Sequence, residues 1–426
     1  PLGEFRNNTA HGCISFGLRI YPEWTPNVDQ CDDNSGGSPQ YLYNTTSWRN
    51  GQGMFSKKHG DLHHIDYTFV ENKATDVSIV KYNEVSYTMD PTFVRPFFIH
   101  MLDTHENFTL TENLGKFALF APQHEYFYVA NASVINYGLN PAFTGCNSCN
   151  SDIKMAQGGY TYRFSGTNWI NSFSRASWSR HYKQIFWDLD GSMTRGMVGT
   201  DGQVWEGYPN SYILQWYEFN AFSEDCMRLP NDYYVDSMVC VNASVRRVEI
   251  DRVTPNQLDF TDLTIYGGDT GQQNDEIYFL PRNMYGWVVP LVMGHQYRFF
   301  WNDADLSARG FAYNIGDSAY LQEAKDLHQN ESIVINFTPH WWDYDPYAYN
   351  TKGTGDSTWT QVDLNNTVQL TSPHGSASYR GRTLGVVLSN QGVDLSIDNV
   401  CDIEVATQLC PDGGCPPPPP KVLPHN

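Results

Sequence analysis

Charged residues are scarce in this 426-residue chain, and the features of several common protein classes are missing. Only 17% of the residues are charged, whereas 15% are aromatic. So few charges argue against coiled coils and against intrinsic disorder. The 34 glycines and 23 prolines argue against a helical bundle. The composition therefore predicts an all-β protein built from strands and turns.

Long apolar runs and an excess of cations are missing as well. No run of 18 apolar residues occurs, so no membrane-spanning segment is predicted. The 27 Lys and Arg face 47 Asp and Glu, and a net charge of −20 predicts no nucleic-acid partner. No phosphate-binding glycine loop, Gly-x-Ser-x-Gly elbow or His-Glu-x-x-His motif is present. We therefore predict no cofactor, with bound Ca²⁺ as an alternative.

Two features that are present predict an extracellular or cell-surface location. Asn-x-Ser/Thr sequons, the acceptors of N-linked glycans, occur at Asn7, Asn44, Asn107, Asn131, Asn242, Asn330, Asn336 and Asn365. Most of the nine cysteines are close in sequence and predict local disulfides among Cys13, Cys31, Cys146, Cys149, Cys226, Cys240, Cys401 and Cys410. The alternative for Cys146 and Cys149 is half of a zinc site, although no second half lies nearby in the sequence.

The chain divides into four predicted regions. Residues 1–6 have the character of a cloning remnant, and the whole is expected to be a fragment of a longer protein. Residues 7–215 contain short alternating strands separated by Gly and Asn, as in 60–72, 126–137 and 160–172. Units that end at Asn predict the coils of a parallel β-helix, with an irregular β-sandwich as the alternative.

Stronger alternating strands follow in residues 216–410, for which a sandwich-like β-domain is predicted. The one modest helix candidate is 319–327. Residues 411–426 include a run of five prolines and predict a linker or stalk.

An ordered set of short motifs resembles the fibrocystin-like family and its relatives, the cell-migration-inducing hyaluronan-binding proteins. The motifs lie at 8–11, 16–20, 46–53, 60–63, 146–149, 157–159, 163–164, 169–172 and 187–192. The resemblance covers about residues 7–215. It implies a right-handed parallel β-helix outside the cell and a role near glycans, with hyaluronan binding or depolymerisation in some members. It transfers no catalytic set to this chain.

Two acidic groups are the catalytic candidates. Asp188 and Asp190 would share one face of a strand, where a carboxylate pair could perform acid–base catalysis on a glycan or bind Ca²⁺. The alternative is that both side chains cap a turn. Asp61 and His63 would also share a face, beside His59 and His64, and a carboxylate can hold a histidine ready for proton transfer. The alternative for these residues is a structural role at a turn.

Residues 153–187 contain cations and no Asp or Glu. With the tryptophans between them, they predict a groove for an acidic polysaccharide, formed by Lys154, Arg163, Arg175, Arg180, Lys183, Trp169 and Trp178. The alternative is a solvated face balanced by neighbouring acidic residues.

The sequence therefore predicts an extracellular glycoprotein that recognises glycans, matrix or partner proteins through a β-helix, without catalysis by this chain. Two alternatives stay open. One is a polysaccharide hydrolase or lyase. The other is a structural component of a surface filament or coat that self-assembles through the unpaired cysteine and the proline-rich tail.

Overall fold

Every third strand of the first half of the chain pairs in parallel, so that three sheets run side by side. The computed structural model describes residues 5–26, 38–82, 91–100, 117–122, 127–145, 161–178, 184–215, 225–234, 236–241, 244–254, 261–267, 275–280, 287–292, 296–301, 310–315, 332–337, 347–352, 356–361, 367–371 and 384–388. These residues form strands and no helix, which confirms the all-β prediction. The helix candidate 319–327 lies outside them.

Sheet 1 consists of six parallel strands, β1 (Thr9–His11), β4 (Thr46–Trp48), β7 (Thr68–Val70), β10 (Phe97–Ile99), β13 (Ser133–Gly138) and β16 (Asn168–Ser172). Sheet 2 consists of β2 (Phe16–Ile20), β5 (Gln52–His59), β8 (Thr75–Tyr82), β11 (Phe117–Phe120), β14 (Phe143–Thr144) and β17 (Ala176–Ser177). Sheet 3 begins with β3 (Gln40–Tyr43), β6 (Leu62–Ile65), β9 (Phe93–Val94), β12 (Tyr128–Ala130), β15 (Thr161–Ser165) and β18 (Ile185–Asp188). One strand from each sheet makes one coil, which is the arrangement of a parallel β-helix.

Aromatic rings fill the space between the three sheets. Phe69 and Phe98 stack with ring centroids 5.6 Å apart, and Phe143 and Phe164 stack at 5.2 Å. Phe186 continues the column 5.1 Å from Phe164. All five side chains are buried. Phe69 and Phe98 are paired residues of adjacent strands, which lie about 4.8 Å apart, so their rings meet, whereas Phe143 and Phe164 face each other from sheets 2 and 3.

The corner between sheets 3 and 1 is made by one left-handed residue per coil. These residues are Asn7, Asn44, Asp66, Arg95, Asn131 and Gly166. The first five donate their backbone N–H to a carbonyl of the next coil, as Asn44 does to Ile65 at 2.9 Å. Asn, Asp and Gly tolerate positive φ better than other residues do. The strand of sheet 1 begins two residues after the corner residue in all six coils. Where the corner residue is Asn and the strand begins with Thr or Ser, the pattern Asn-x-Thr or Asn-x-Ser arises.

A buried asparagine ladder follows the other end of the sheet 1 strands. Asn50 N–H donates to Asn72 Oδ1 at 3.0 Å, and Cys13 N–H donates to Asn50 Oδ1 at 2.9 Å. Asn72 Nδ2 donates to Asp76 Oδ1 at 2.8 Å, and the Tyr137 hydroxyl donates to Asp76 Oδ2. Burial raises the pKa of Asp76 to about 7, against the hydrogen bonds from Tyr137 and Asn72, which lower it.

Asp76 should therefore make the protein less stable as the pH rises. The folded state holds this proton up to about pH 7, whereas the ordinary pKa is 3.8. The contribution of Asp76 is complete below about pH 4 and is lost as the pH rises through 7. In Asp76→Asn, the free energy of unfolding measured by urea titration should decrease less between pH 4 and pH 7. Asp232→Asn, at an exposed position, is the control. If the free energy of unfolding depended on pH equally in Asp76→Asn and in the protein without substitutions, the raised pKa of Asp76 would be contradicted.

Antiparallel strands close one end of sheet 3. β18 pairs with β19 (Ser211–Gln215), which pairs with β21 (Ser237–Cys240), and β20 (Cys226–Arg228) lies at the edge. A disulfide joins Cys226 to Cys240 across the last pair. Cys13 is an exposed free thiol. The other cysteines predicted to pair, Cys31, Cys146, Cys149, Cys401 and Cys410, lie outside the described residues, so their pairing stays a prediction.

The described residues group into two compact units, and the second contains residues 244–388. One of its sheets has the order β25 (Trp287–Val292), β22 (Val245–Thr254), β27 (Gly310–Ile315), β32 (Leu384–Leu388), β29 (Tyr347–Lys352) and β30 (Asp356–Gln361). The other has the order β24 (Asp275–Leu280), β23 (Leu263–Gly267), β26 (Gln296–Trp301), β28 (Ser332–Phe337) and β31 (Thr367–Thr371). Pairing is antiparallel except between β26 and β28. In the described part of the chain, no helix of the length and apolarity needed to cross a bilayer occurs.

Candidate functional site

Two of the four residues in the predicted histidine cluster form a neutral pair in the core. The Nε2 atoms of His59 and His64 lie 3.3 Å apart, and His59 Nδ1 lies 3.2 Å from Ser56 Oγ. Burial lowers the pKa of His59 to about 3 and that of His64 well below its ordinary value. Because His64 also stacks on Phe93 at 4.7 Å, this pair is part of the apolar packing.

Asp61 and His63 do meet, as the sequence predicts, but in a closed site. His63 Nε2 lies 2.9 Å from Asp61 Oδ1, and its Nδ1 lies 2.9 Å from the carbonyl oxygen of Pro91. The ring stacks on Tyr41 with centroids 4.9 Å apart, and both Asp61 and His63 are buried. Both ring nitrogens therefore face an acceptor inside the protein, and neither points to a substrate.

Asp188 and Asp190 organise the turn after β18. Asp188 Oδ2 accepts the backbone N–H groups of Met193 at 3.0 Å and Thr194 at 3.2 Å, while Asp190 accepts those of Gly166 at 2.8 Å and Ser192 at 3.1 Å. Burial, and then the charge of Asp190, raises the pKa of Asp188 to about 7. The pKa of Asp190 is lowered: the hydrogen bonds from Ser192 and Gly166 outweigh the opposing effect of its partial burial.

Both side chains therefore cap a turn, which is the structural alternative given for them above. Because Asp188 is buried, a polysaccharide cannot reach it. For Ca²⁺ the donor set is poor, because Asp188 Oδ2 and both oxygens of Asp190 already accept backbone N–H groups. Nowhere in the described ranges do three or more His, Cys, Asp or Glu side chains converge as a metal site would require.

Two cations of the predicted basic groove are inside the protein. Arg175 donates to the carbonyl oxygens of Met193 at 2.6 Å and Arg195 at 2.7 Å, and its guanidinium lies 5.1 Å from the Trp169 ring centroid. Arg163 is also buried, 5.6 Å from the ring centroid of Trp187. Trp178 packs on Phe186 at 4.5 Å. Lys154, Arg180 and Lys183 lie outside the described residues, so a groove in this region stays a prediction.

A different pair of cations is exposed on the outer face of sheet 2. The Arg19 guanidinium lies 4.4 Å from the ring centroid of Tyr21, and Lys57 Nζ lies 5.0 Å from the same centroid. Arg19 also lies 5.4 Å from the ring of Phe16, which packs on Phe55 at 5.0 Å. Tyr21 is 53% exposed. We call Phe16, Arg19, Tyr21, Phe55 and Lys57 the cation–aromatic patch.

Strand register assembles this patch from two coils. Ile20 of β2 pairs with Ser56 of β5, and both point inward. Their neighbours Arg19 and Lys57 therefore point outward, and one more step of the same register brings Tyr21 beside Lys57. Neither cation forms an ion pair with a residue of the described ranges, whereas neighbouring Lys58 does, with Glu23 at 2.6 Å.

Sequence reasoning missed the patch because its residues come from two segments that no local motif links. The sequence contains only a weak signal for it: Phe55 lies two positions before Lys57, and Tyr21 lies two positions after Arg19. Only the register of the coils shows that the two segments meet.

Two curated relatives of this chain are named fibrocystin. The protein of the dog, Canis lupus familiaris, is 23% identical over 311 residues, and that of the mouse, Mus musculus, is 23% identical over 299 residues. Each match covers 68% of this chain, which spans about 6% of the length of either relative. No family model matches the sequence. These similarities support a distant relationship to fibrocystin, and kinship with hyaluronan-binding proteins stays a prediction.

Proposed function

We propose that this chain is part of an extracellular or cell-surface glycoprotein that binds acidic glycans through the cation–aromatic patch. The observation that carries the proposal is the geometry of Arg19 and Lys57. Both are exposed, both lie against Tyr21, and neither has a carboxylate partner among the described residues. The distant relationship to fibrocystin favours the location but names no ligand.

The chemistry of the patch fits a sugar that carries a carboxylate or a sulfate group. A guanidinium and an ammonium ion form strong, charge-assisted hydrogen bonds to such groups. Because both cations rest on one aromatic ring, less side-chain entropy is lost on binding than for two freely moving side chains. The rings of Phe16 and Phe55 offer apolar surface to the sugar ring. In a chain of net charge −20, uncompensated cations in one place are also a local attraction for an anion.

Binding without cleavage is the form of this proposal that the geometry favours. Asp61, His63 and Asp188 are buried and hydrogen-bonded within the protein. A glycosidase needs two carboxyl groups that flank an accessible glycosidic bond. Binding of partner proteins and self-assembly are further proposals for the function. For the fold, we propose that the coils wind in the right-handed sense, which is the usual hand of parallel crossovers, and that the second unit is a β-sandwich.

The first test is incubation of the protein with size-defined hyaluronan, chondroitin sulfate and pectin, with and without Ca²⁺, followed by size-exclusion chromatography. We expect co-elution with at least one acidic glycan, without shortening and without a need for Ca²⁺, and release as salt screens the cations. Shortened chains would replace the proposal by the enzyme alternative. No co-elution with any of the three glycans would overturn it.

The second test is a charge-matched pair of double variants. Arg19→Ala with Lys57→Ala should weaken binding at least about tenfold, or about 1.4 kcal/mol, because both anion contacts are lost. Arg95→Ala with Lys58→Ala removes the same charge, but these cations are paired with Asp66 at 2.7 Å and Glu23 at 2.6 Å. Affinities from titration calorimetry should therefore separate the two variants, and equal losses would assign binding to net charge instead of the patch.

A further inference from the structure

Three of the eight sequon asparagines lie in one row. Asn7, Asn44 and Asn131 are exposed left-handed residues at the corner between sheets 3 and 1. Asn7 and Asn44 belong to adjacent coils, since Thr9 of the first sequon pairs with Thr46 of the second. Asn131 lies farther along the same corner, with Asp66 and Arg95 in the coils between. The three sequons therefore share one backbone conformation and can be compared by their side chains alone.

The amide groups of the three side chains differ in what they already bind. Asn44 Nδ2 donates to Asn7 Oδ1 at 3.2 Å. Among the described residues, the Nδ2 atoms of Asn7 and Asn131 have no hydrogen-bond acceptor. Beside Asn131 the next coil carries Gly166, and a Cβ there would lie 2.2 Å from Asn131 Oδ1. The missing side chain leaves room for the Asn131 amide at the corner.

N-glycosylation uses the Nδ2 atom. The bond between the anomeric carbon of the oligosaccharide and a lipid pyrophosphate breaks, a bond from that carbon to Nδ2 forms, Nδ2 loses one proton, and the lipid pyrophosphate leaves. On Asn44 this would place the first sugar against the Asn7 side chain. A sugar on Asn7 would then stand only about 4.8 Å away on the neighbouring strand, which is too close for two branched chains that leave the same edge.

We propose that Asn7 and Asn131 carry N-linked glycans and that Asn44 stays unmodified, with its amide as the donor that orients Asn7. The two glycans then leave from one corner of the coils, whereas the cation–aromatic patch lies on the outer face of sheet 2. This inference rests on the proposed extracellular location and is independent of the proposed ligand.

The test is site-specific occupancy in protein secreted from animal cells. Glycopeptides are released by protease and treated with a peptide N-glycosidase in heavy-oxygen water, which marks each formerly modified asparagine for mass spectrometry. We expect Asn7 and Asn131 to be modified in most molecules and Asn44 in few. Both Asn7 and Asn44 marked on one peptide, or all three sites unmarked, would overturn the proposal.

Low occupancy of Asn44 could result from the neighbouring Asn7 or from poor use of the Asn44 sequon itself, and two variants distinguish these explanations. Asn7→Gln removes the neighbouring glycan, so Asn44 should change from a minor to a major modified site. Asn44→Gln should leave the occupancy of Asn7 and Asn131 unchanged. If Asn44 stays unmodified in Asn7→Gln, crowding by Asn7 is the wrong explanation and the inference fails. Acidic-glycan binding by the secreted protein, measured before and after glycan removal, tests the proposed function separately.

Discussion

Replacing Phe143 by alanine should lower the free energy of unfolding of the first unit by about 3–5 kcal/mol. The ring lies 6.2 Å from Phe98, 5.2 Å from Phe164 and 5.3 Å from Trp169, measured between centroids. Removing it leaves a cavity in the middle of the aromatic column, and no neighbouring side chain can collapse into it while the coils keep their register.

The measurement is urea unfolding of the full chain, followed by circular dichroism, with Phe97→Ala as the control. Phe97 belongs to the same β-helix and has the same side chain, but it points outward and is 43% exposed. Phe97→Ala should lower the free energy of unfolding by less than about 1 kcal/mol. Similar losses for the two variants would show that the interior column does not hold the coils together.

Replacing Arg175 by alanine should lower the free energy of unfolding by about 3–5 kcal/mol, because it removes a buried cation and leaves the two carbonyl groups that it binds without their donor. Arg175 interacts electrostatically with Asp188 and donates to two carbonyl groups of the following turn. Its guanidinium also lies 5.2 Å from the ring centroid of Tyr233. Burial lowers the pKa of Arg175, and the neighbouring Tyr234, Tyr233 and Asp188 raise it.

A double-mutant cycle with Arg175→Met and Asp188→Asn is the sharper form of this test. The double variant should be more stable than the sum of the two single losses predicts, since no charge is then left without a partner. The same proteins decide the ligand-binding prediction for Arg175. A variant that folds with full stability and loses only glycan binding would restore Arg175 to the predicted groove and contradict the structural role.

The repeat of the fold could be predicted from the sequence, because a strand pattern needs only neighbours in the chain. Residues 60–72 do form the predicted strands, β6 and β7, with Asp66 at the corner between them. The exposure of individual cations could not be predicted in this way. Arg19 and Arg175 both lie among aromatic residues in sequence, yet one is exposed and the other buried. The difference depends on which coil lies beside each of them.

The candidate acids show the same limit. Alternation places Asp61 with His63 and Asp188 with Asp190 on a common side, and the side chains of the first pair do meet. Whether such a pair faces solvent depends on residues far away in the chain, such as Pro91 for His63. In the same way, the backbone N–H groups of the next turn bind the Asp188 carboxyl group inside the protein. The pattern therefore predicts proximity but not access, and access is what catalysis requires.

The corner residues also make this architecture tolerant of change in length. Asn7 and Asn44 are neighbours across 37 residues, whereas Arg49 and Glu71 are neighbours across only 22. The additional residues of a long coil lie between its strands, while the strands and corners keep the same pairing. New segments, including an epitope or a binding loop for engineering, could therefore be inserted between a sheet 2 strand and the sheet 3 strand that follows it, as between β2 and β3, at little entropic cost, since the free energy of closing a loop grows only slowly with its length.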